Sequence, residues 1–296
     1  MPAVLRSVAS CGLLALVLTA CGSTGAGGGA GADANAGVPR DAPALGGYVA
    51  QEGLEAARVV KEYRTYAEDQ TYDTIKRTAR FVEALKNGEV KKAKALYAPS
   101  RIGWESIEPV AEAFPDIDAK VDARETDLEM GQTWTGWHRL EKALWQAPET
   151  IRQEAVYGDT LLADLSRLRA VLPRVEITVA SMAAGAKELL DEVATGKVTG
   201  EEEAFSHTDL WDFKGNLEGA FKVYQLLRPV VQQRDAGLAT TLDTEFADLK
   251  TLLAKHARGE GFVLYTDLSR EQAKELADAL NALAEPLSGL AAVTSG

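Results

Sequence analysis

A histidine and a glutamate lie three residues apart in a tryptophan-rich segment, Thr133-Trp-Thr-Gly-Trp-His-Arg-Leu-Glu-Lys-Ala-Leu-Trp145. If this segment is a helix, with about 100° between successive residues, His138 and Glu141 project on the same side as the tryptophans. The three-residue spacing also lets the two side chains act together. An imidazole and a carboxylate are costly to bury unless they are paired or bound to a metal. The segment therefore predicts either metal ligands or a self-satisfied core pair.

A second set of acidic residues precedes this pair. Between Ile102 and Phe114, the predicted helix places Glu105, Glu108 and Glu112 on one face together with Arg101. Such a face is either solvated or turned inward to supply carboxylate ligands. Residues 116–127 are also rich in acids, which the solubility of a loop explains by itself.

A third acidic segment occupies residues 199–213. Thr199 and Glu202 have the spacing of a capping box, which is a structural role for one glutamate. His207, Asp209 and Asp212 follow among large apolar residues. Carboxylates with one or two imidazoles form a hard-to-borderline site that suits iron, manganese, zinc or calcium rather than copper(I). The remaining histidine, His256, is predicted to be a basic group at a helix C-terminus.

The segments that must position these residues are predicted to be helical almost throughout, because apolar residues recur at three- and four-residue spacing. The predicted helices are Tyr48–Asn87, Glu89–Tyr97, Ile102–Phe114, Thr133–Gln146, Pro148–Thr195, Lys214–Leu227, Ala239–Arg258 and Ser269–Leu290. Gly88 and Gly196 are expected to end helices, and Pro99 and Pro173 to break them.

Long helices with short connections predict an all-α fold of up-and-down bundles. About 250 residues is large for one four-helix bundle, so we expect a bilobal body of two four-helix bundles. The body is placed at residues 43–293, with the bundles at about 43–165 and 166–293.

The N-terminus predicts export and lipidation. Arg6 precedes an apolar stretch from Cys11 to Leu18 that is too short to span a bilayer, so residues 1–20 are interpreted as a cleaved signal peptide. A small residue directly before Cys21 resembles the lipobox of bacterial lipoproteins, in which the cysteine is lipidated. The alternative is an ordinary signal peptide with an incidental cysteine. Residues 21–42 are predicted to be a flexible linker, with the protein anchored on the cell-surface or periplasmic side of the membrane.

Composition excludes several classes of function. The only two cysteines lie in or next to the signal peptide, so we expect no disulfide, thiolate metal site or cysteine nucleophile in the body. The formal net charge of −12 argues against a nucleic-acid partner, because phosphates require a basic face. An acidic surface instead attracts cations, although acidity also aids solubility.

Four separated motifs resemble the imelysin-type domain of the EfeO/EfeM iron-uptake lipoproteins. They are Ala98-Pro-Ser-Arg-Ile-Gly-Trp-Glu-Ser-Ile-Glu-Pro109, Asp122-Ala-Arg-Glu125, Gly136-Trp-His-Arg-Leu-Glu-Lys-Ala-Leu-Trp145 and Ser206-His-Thr-Asp-Leu-Trp-Asp-Phe213. The resemblance implies two helical bundles with a His-x-x-Glu metal motif between them. It also implies capture of ferrous or ferric iron, with zinc or another divalent cation as alternatives. The implied partners are a membrane iron permease and a haem-containing peroxidase.

The resemblance also implies a set of metal ligands. The His-x-x-Glu pair falls on His138 and Glu141, and the later acidic segment falls on Glu201–Glu203. Which of these three glutamates faces the site stays open; Glu203 is chosen as the ligand, because Glu202 has the spacing of a capping residue. The family's preceding acidic positions correspond to Glu105, Glu108, Asp118 and Asp122. No cupredoxin-like domain precedes the helices, unlike in the longer members, so we expect no second metal site and no copper or ferrous-oxidation role.

Two other functions remain open. Imelysin-type domains have been classed as metallopeptidases, yet a zinc protease usually carries His-Glu-x-x-His, and this chain has one histidine in its motif. In a polymer-binding or scaffolding protein, the same pair would be only part of the core.

Overall fold

Helices dominate the computed structural model, which describes residues 45–195 and 200–295. In chain order the α-helices there are α1 (Leu45–Asn87), α2 (Val90–Glu105), α3 (Pro115–Val121), α4 (Trp137–Gln146), α5 (Ile151–Val171), α6 (Val179–Thr195), α7 (Asp209–Arg234), α8 (Ala236–Ala254), α9 (Arg270–Leu287) and α10 (Gly289–Ser295). The strands of the same residues are β1 (Ala257–Arg258) and β2 (Gly261–Phe262), which form an antiparallel pair. The all-α prediction is confirmed.

The predicted signal peptide, Cys21 and linker lie outside the described residues, as do Gly196 and Thr199. The chain from Leu45 to its end forms a compact unit of its own. Among the described residues, no helix combines the length and apolar character that a bilayer crossing needs.

The long helices pack in two groups of four. In the first, α1 contacts α2 and α5, while α4 contacts α2 and α5; in the second, α6, α7, α8 and α9 contact one another in the same cyclic manner. Contacts of α2 with α7 join the groups, and their buried apolar side chains form one continuous core. The predicted boundary at residue 165 lies within α5, and the division into two bundle domains stays a prediction.

Several predicted helix ends are confirmed. The first helix ends before Gly88, whose φ of 71° is readily adopted by glycine. The break at Pro173 separates α5 from α6. Ser269 caps α9 through a reciprocal capping box with Gln272.

The chain around Pro99 differs from the prediction. Instead of ending before Pro99 and restarting at Ile102, α2 continues through the proline to Glu105, and a 3₁₀ helix covers Glu108–Ala113. Apart from the proline itself, every residue from Ala98 to Glu105 is buried. Tertiary packing therefore outweighs the cost of about 3 kcal/mol that an interior proline imposes on a helix.

Two predictions in the second half are also wrong. The helix expected to reach Arg258 ends at Ala254, because the chain then turns into the β1–β2 hairpin. His256 follows the end of α8, as predicted, and is only 6% exposed. The helix expected at Lys214–Leu227 is longer and begins at Asp209.

The start of α4 is set by Gly136. The sequence predicts a helix from Thr133, but Gly136 has a φ of 88° and the helix begins one residue later. Trp134 consequently lies outside the helix, where its indole donates a hydrogen bond to the carbonyl of Ala123 (2.8 Å). The glycine also lies directly against the backbone of Val121, and a Cβ there would overlap that carbonyl. This contact brings the chain that follows α3 to the first turn of α4.

Glycines on α7 allow it to approach α2 closely. A Cβ on Gly219 would overlap the backbone carbonyl of Ser106, and one on Gly215 would overlap the side chain of Glu105. The close approach brings the acidic residues of both helices into one site.

We expect Gly136→Ala to destabilise the protein more than Gly131→Ala. Both glycines have a φ of 88°, but a Cβ at Gly131 meets nothing within 4 Å. Each substitution carries a backbone cost of about 1–2 kcal/mol, and only Gly136→Ala adds overpacking of about 1–3 kcal/mol. Free energies of unfolding from denaturant titrations give the difference. Equal losses would contradict the proposed contact with Val121.

Candidate metal centre

Arg101 lies at the centre of a buried acidic cluster. Its side chain is completely buried, and its guanidinium makes ion pairs with four acidic side chains at hydrogen-bonding distance. These partners are Glu105 (2.6 Å), Asp122, Glu203 (2.8 Å) and Asp212 (3.1 Å). Burial alone would lower the pKa of Arg101, but the carboxylates, led by Asp122 and Asp212, hold it well above its ordinary value. The guanidinium therefore stays charged.

The end of α2 supplies the first part of the cluster. Arg101 and Glu105 are four residues apart, so they lie on the same helix face, and that face is buried against α4 and α7. Asp122 follows α3 and accepts hydrogen bonds from the guanidinium of Arg101 and the indole of Trp104 (2.9 Å). The side chain of Asp122 is 8% exposed, so this acid is not a solvated loop residue.

The His138–Glu141 pair lies on the buried face of α4. His138 is 2% exposed and Glu141 is completely buried, and Nδ1 of the imidazole lies 3.4 Å from Oε2 of the glutamate. The other oxygen of Glu141 accepts hydrogen bonds from the backbone N–H groups of Phe205 (3.0 Å) and Ser206 (2.6 Å). Burial raises the pKa of Glu141, but the hydrogen bonds from His138 and Ser206 outweigh it and lower the pKa below its usual value.

The second imidazole nitrogen faces two carboxylates at longer distances. Nε2 of His138 lies 3.5 Å from Oδ1 of Asp122 and 3.8 Å from Oε1 of Glu202, and it has no hydrogen-bond partner among the described residues. An ion with bonds of about 2.1 Å separates its ligand atoms by roughly 3–3.5 Å. The three side chains could hold a metal ion.

The turn before α7 supplies Glu203 on the opposite side of Arg101. Glu203 is fully buried and accepts hydrogen bonds from the hydroxyls of Ser206 (2.8 Å) and Tyr97 (3.3 Å). Burial, followed by the charges of Glu141 and Asp212, raises its pKa well above the ordinary value. Burial among other carboxylates therefore favours the protonated form of Glu203.

The first turns of α7 and the segment after α2 complete the surroundings. Asp209 accepts a hydrogen bond from the backbone N–H of Glu203 (3.1 Å), and burial raises its pKa. The amide of Asn216 donates hydrogen bonds to Glu105 (3.1 Å) and to Glu108, which joins these two glutamates. Glu105, Glu108 and Asp122 form another group that could hold an ion.

The charges in this region do not balance. Seven acidic side chains are buried or nearly so: Glu105, Asp122, Glu141, Glu202, Glu203, Asp209 and Asp212. Among the described residues, one buried guanidinium and one imidazole oppose them, with the half-exposed Arg124 bonded to Glu202 (3.2 Å) at the edge. Even if Glu203 and Asp209 are counted as neutral, the described carboxylates outnumber these cationic groups. Such an excess is costly in a buried region unless a cation is bound.

The structure brings most of the predicted ligands together. His138, Glu141, Glu105, Asp122 and Glu203 surround Arg101 or contact one another. Glu108 lies at one side of the cluster, where it accepts a hydrogen bond from the amide of Asn216. Asp118 belongs to α3 and is in none of the groups of potential metal ligands found among the described residues.

The structure decides between the two alternatives for the face of Arg101 and Glu105: both side chains are completely buried, so the face is turned inward. One interpretation made from the sequence is wrong. Glu202 does not cap a helix, because α7 begins at Asp209; its carboxylate instead lies between Arg124 and His138.

Arg101 and Asp212 were not among the predicted metal ligands, and Glu202 was one of three consecutive glutamates of which Glu203 was chosen. Arg101 had a recognisable signal, since it is a lone arginine among the mostly apolar residues 98–104. Asp212 lies three residues after Asp209 beside large apolar side chains, the same pattern that identified His138 and Glu141. Glu202 had no signal of its own among three consecutive glutamates.

Comparison with known proteins agrees with the positions of these motifs. A family model described as Imelysin matches residues 59–290, which includes every side chain of the acidic cluster. The chain is 42% identical to an Efem/EfeO family lipoprotein of Staphylococcus haemolyticus strain JCSC1435 over 243 residues, which is 80% of this chain and 84% of the relative. It is 40% identical over 244 residues to Efem/EfeO family lipoproteins of Staphylococcus aureus strains MSSA476 and MW2, with 81% of this chain and 86% of each relative covered.

The chain belongs to the imelysin family and to the Efem/EfeO lipoproteins. The resemblance found in the four sequence motifs is therefore confirmed. A lipoprotein is anchored to a membrane outside the cytoplasm, which is the coarse location that the names of the relatives support.

We expect Arg101→Met to destabilise this family member severely, whereas Arg124→Met has little effect. Removing the buried guanidinium leaves four carboxyl groups without their shared partner, at a cost of about 3–5 kcal/mol. Arg124 also contacts Glu202, but its side chain is 38% exposed, so its loss costs at most about 1 kcal/mol. Denaturant unfolding in the presence of a chelator measures both. Similar losses in the two variants would refute the central role of Arg101.

Proposed function

We propose that this lipoprotein binds iron outside the cytoplasm for an uptake system, with His138, Asp122 and Glu202 as the principal ligands. The observation that carries the proposal is the buried Nε2 of His138, which has no hydrogen-bond partner among the described residues and faces two carboxylates. A buried imidazole nitrogen without a partner is costly, and a bound cation removes that cost.

Glu141 has a different role in this proposal. One of its oxygens already accepts two backbone hydrogen bonds, and the other faces Nδ1 of His138. A carboxylate that accepts the Nδ1 proton fixes the imidazole with Nε2 deprotonated and directed at the ion. Glu141 thus orients His138, while Glu203, Glu105 and Glu108 supply the surrounding negative charge.

Iron is the proposed cargo on two grounds. Oxygen and imidazole ligands suit iron in either oxidation state, as well as manganese and zinc. The names of the relatives place them in the Efem/EfeO family, and the resemblance connects this family with iron uptake. Zinc or another divalent cation is the alternative that a titration resolves.

The proposed setting follows from the family. Acylation at Cys21 anchors the protein to the membrane, and the ion passes to a membrane iron permease that works beside a haem-containing peroxidase. The overall charge of −12 supports this role, because an acidic surface concentrates cations near the site.

A peptidase is the second candidate, because the matching family model carries a peptidase name. The sequence has no His-Glu-x-x-His motif. Chelator-sensitive cleavage of casein by the purified protein would support the peptidase and contradict a purely metal-binding role.

We expect one high-affinity metal site that depends on Glu202 but not on Glu201. Calorimetric titration with Fe²⁺ under anaerobic conditions, Fe³⁺ citrate, Zn²⁺ and Ca²⁺ is performed on the chain from residue 22. His138→Ala, Asp122→Asn and Glu202→Gln should each weaken binding about 10–100-fold or more, since each removes a ligand.

Glu201→Gln is the matched control, because it is the same substitution at the neighbouring exposed residue. Its affinity should equal that of the unmodified protein. If all four variants bind iron alike, the proposed assignment of His138, Asp122 and Glu202 as ligands is wrong. If the unmodified protein binds no metal, His138 and Glu141 are only a buried pair in the core.

A further inference from the structure

A cavity lies away from the acidic cluster. It has a volume of about 620 Å³ and is lined by α7, the end of α8, the β1–β2 hairpin and two residues of α1. Pockets for small molecules have volumes of roughly 300–1,000 Å³. Asp212 and Asn216 of α7 belong to the acidic cluster, whereas Leu217 and Phe221 of the same helix line this cavity.

The walls of this cavity are aromatic and held in place. Tyr66, Phe221 and Phe262 line it. Phe262 is packed edge-on against Trp211, with ring centroids 5.7 Å apart, and Phe221 packs on Phe246 at 5.1 Å. Because the ammonium of Lys250 lies over the ring of Phe221, Phe262 is the aromatic wall against which a ligand ring would pack.

Three lysines surround these rings. Lys214 is paired with Glu218 at 2.6 Å. The ammonium of Lys222 lies 5.5 Å from the centroid of Tyr66, and that of Lys250 lies 2.8 Å from the centroid of Phe221. Neither Lys222 nor Lys250 has an ion pair with a described residue. Burial lowers the pKa of Lys250 to about 8, against the opposing charge of Glu218.

This local positive charge is unusual on a chain with a net charge of −12. An ammonium that is partly removed from water and makes no ion pair is unfavourable. The charge of Glu218, which also lines the cavity, and contact with a ring face compensate only in part. An anion bound beside Lys222 and Lys250 would supply the missing charge. An inorganic anion would leave the aromatic walls uncovered, so an organic anion with its own ring system fits both features.

We propose that this cavity binds an aromatic organic anion, whose ring packs against Phe262 and whose charged group lies between Lys222 and Lys250. This site goes beyond metal binding and does not depend on it. The ligand class is therefore a planar aromatic carboxylate or sulfonate rather than a metal ion.

The test uses two probes that differ only by a charged sulfonate group. Anilinonaphthalene sulfonate is an aromatic anion, and phenylnaphthylamine is the same skeleton without the sulfonate. Fluorescence titrations use the chain from residue 22, which keeps the whole compact unit of residues 45–296. A chelator is present throughout, so that the acidic cluster contributes no bound metal.

The unmodified protein should bind one equivalent of the sulfonate and bind the neutral probe more weakly. Lys222→Met and Lys250→Met should each raise the Kd of the sulfonate about tenfold, because each removes a charged partner. Lys274→Met is the matched control: this lysine is 72% exposed and paired with Asp278 outside the cavity, so the Kd should not change. Gln225→Glu, at an exposed lining position, should also raise the Kd without affecting folding.

Two results would overturn the proposal. One is a sulfonate affinity that stays the same in Lys222→Met, Lys250→Met and Gln225→Glu, which would place the probe elsewhere. The other is equally tight binding of the neutral probe, which would reduce the cavity to an apolar surface. Circular dichroism and thermal unfolding confirm that each variant is folded, and Gln225→Glu remains informative if a lysine variant is not.

Discussion

The structure depends on one buried guanidinium. Arg101 lies where α2 meets α7, and it draws together carboxylates from α2, the segment after α3, the turn before α7 and α7 itself. Each of these acids would be unfavourable in the core without a cationic partner. Because one side chain makes an ion pair with each of them, the two groups of helices can meet at an acidic surface rather than at a purely apolar one. Arg101 thereby makes it possible to fold a buried site that remains rich in negative charge.

The same arrangement supports the proposed cation beside His138. Arg101 carries one positive charge against four carboxyl groups, and Nε2 of His138 faces two carboxylates, those of Asp122 and Glu202. Glu141 cannot supply a positive charge. It accepts hydrogen bonds from the backbone N–H groups of Phe205 and Ser206, which fix its carboxylate, and the carboxylate in turn orients the imidazole of His138. A cation in this position would compensate carboxylate charge in addition to Arg101. The buried carboxylates therefore account both for the pairing with Arg101 and for the proposed binding of a cation.

The sequence predicted the fold well where the residue pattern within a single helix determines the structure. Helical periodicity gave the helical class, and the spacing of His138 and Glu141 correctly placed both in the core. It was less informative where the outcome depends on contacts between distant segments. The continuation of α2 through Pro99 depends on burial of the residues that follow. Likewise, the choice among Glu201, Glu202 and Glu203 depends on how a turn approaches α4, which no local pattern encodes.

Anomalous diffraction at the iron edge, from crystals of the protein loaded with iron, would test the central claim most directly. The account predicts one strong anomalous peak at about 2.0–2.3 Å from Nε2 of His138, with Asp122 and Glu202 at similar distances and Arg101 still paired with Glu105. A peak remote from His138, or an imidazole whose Nε2 bonds only to protein groups in the loaded crystal, would contradict it.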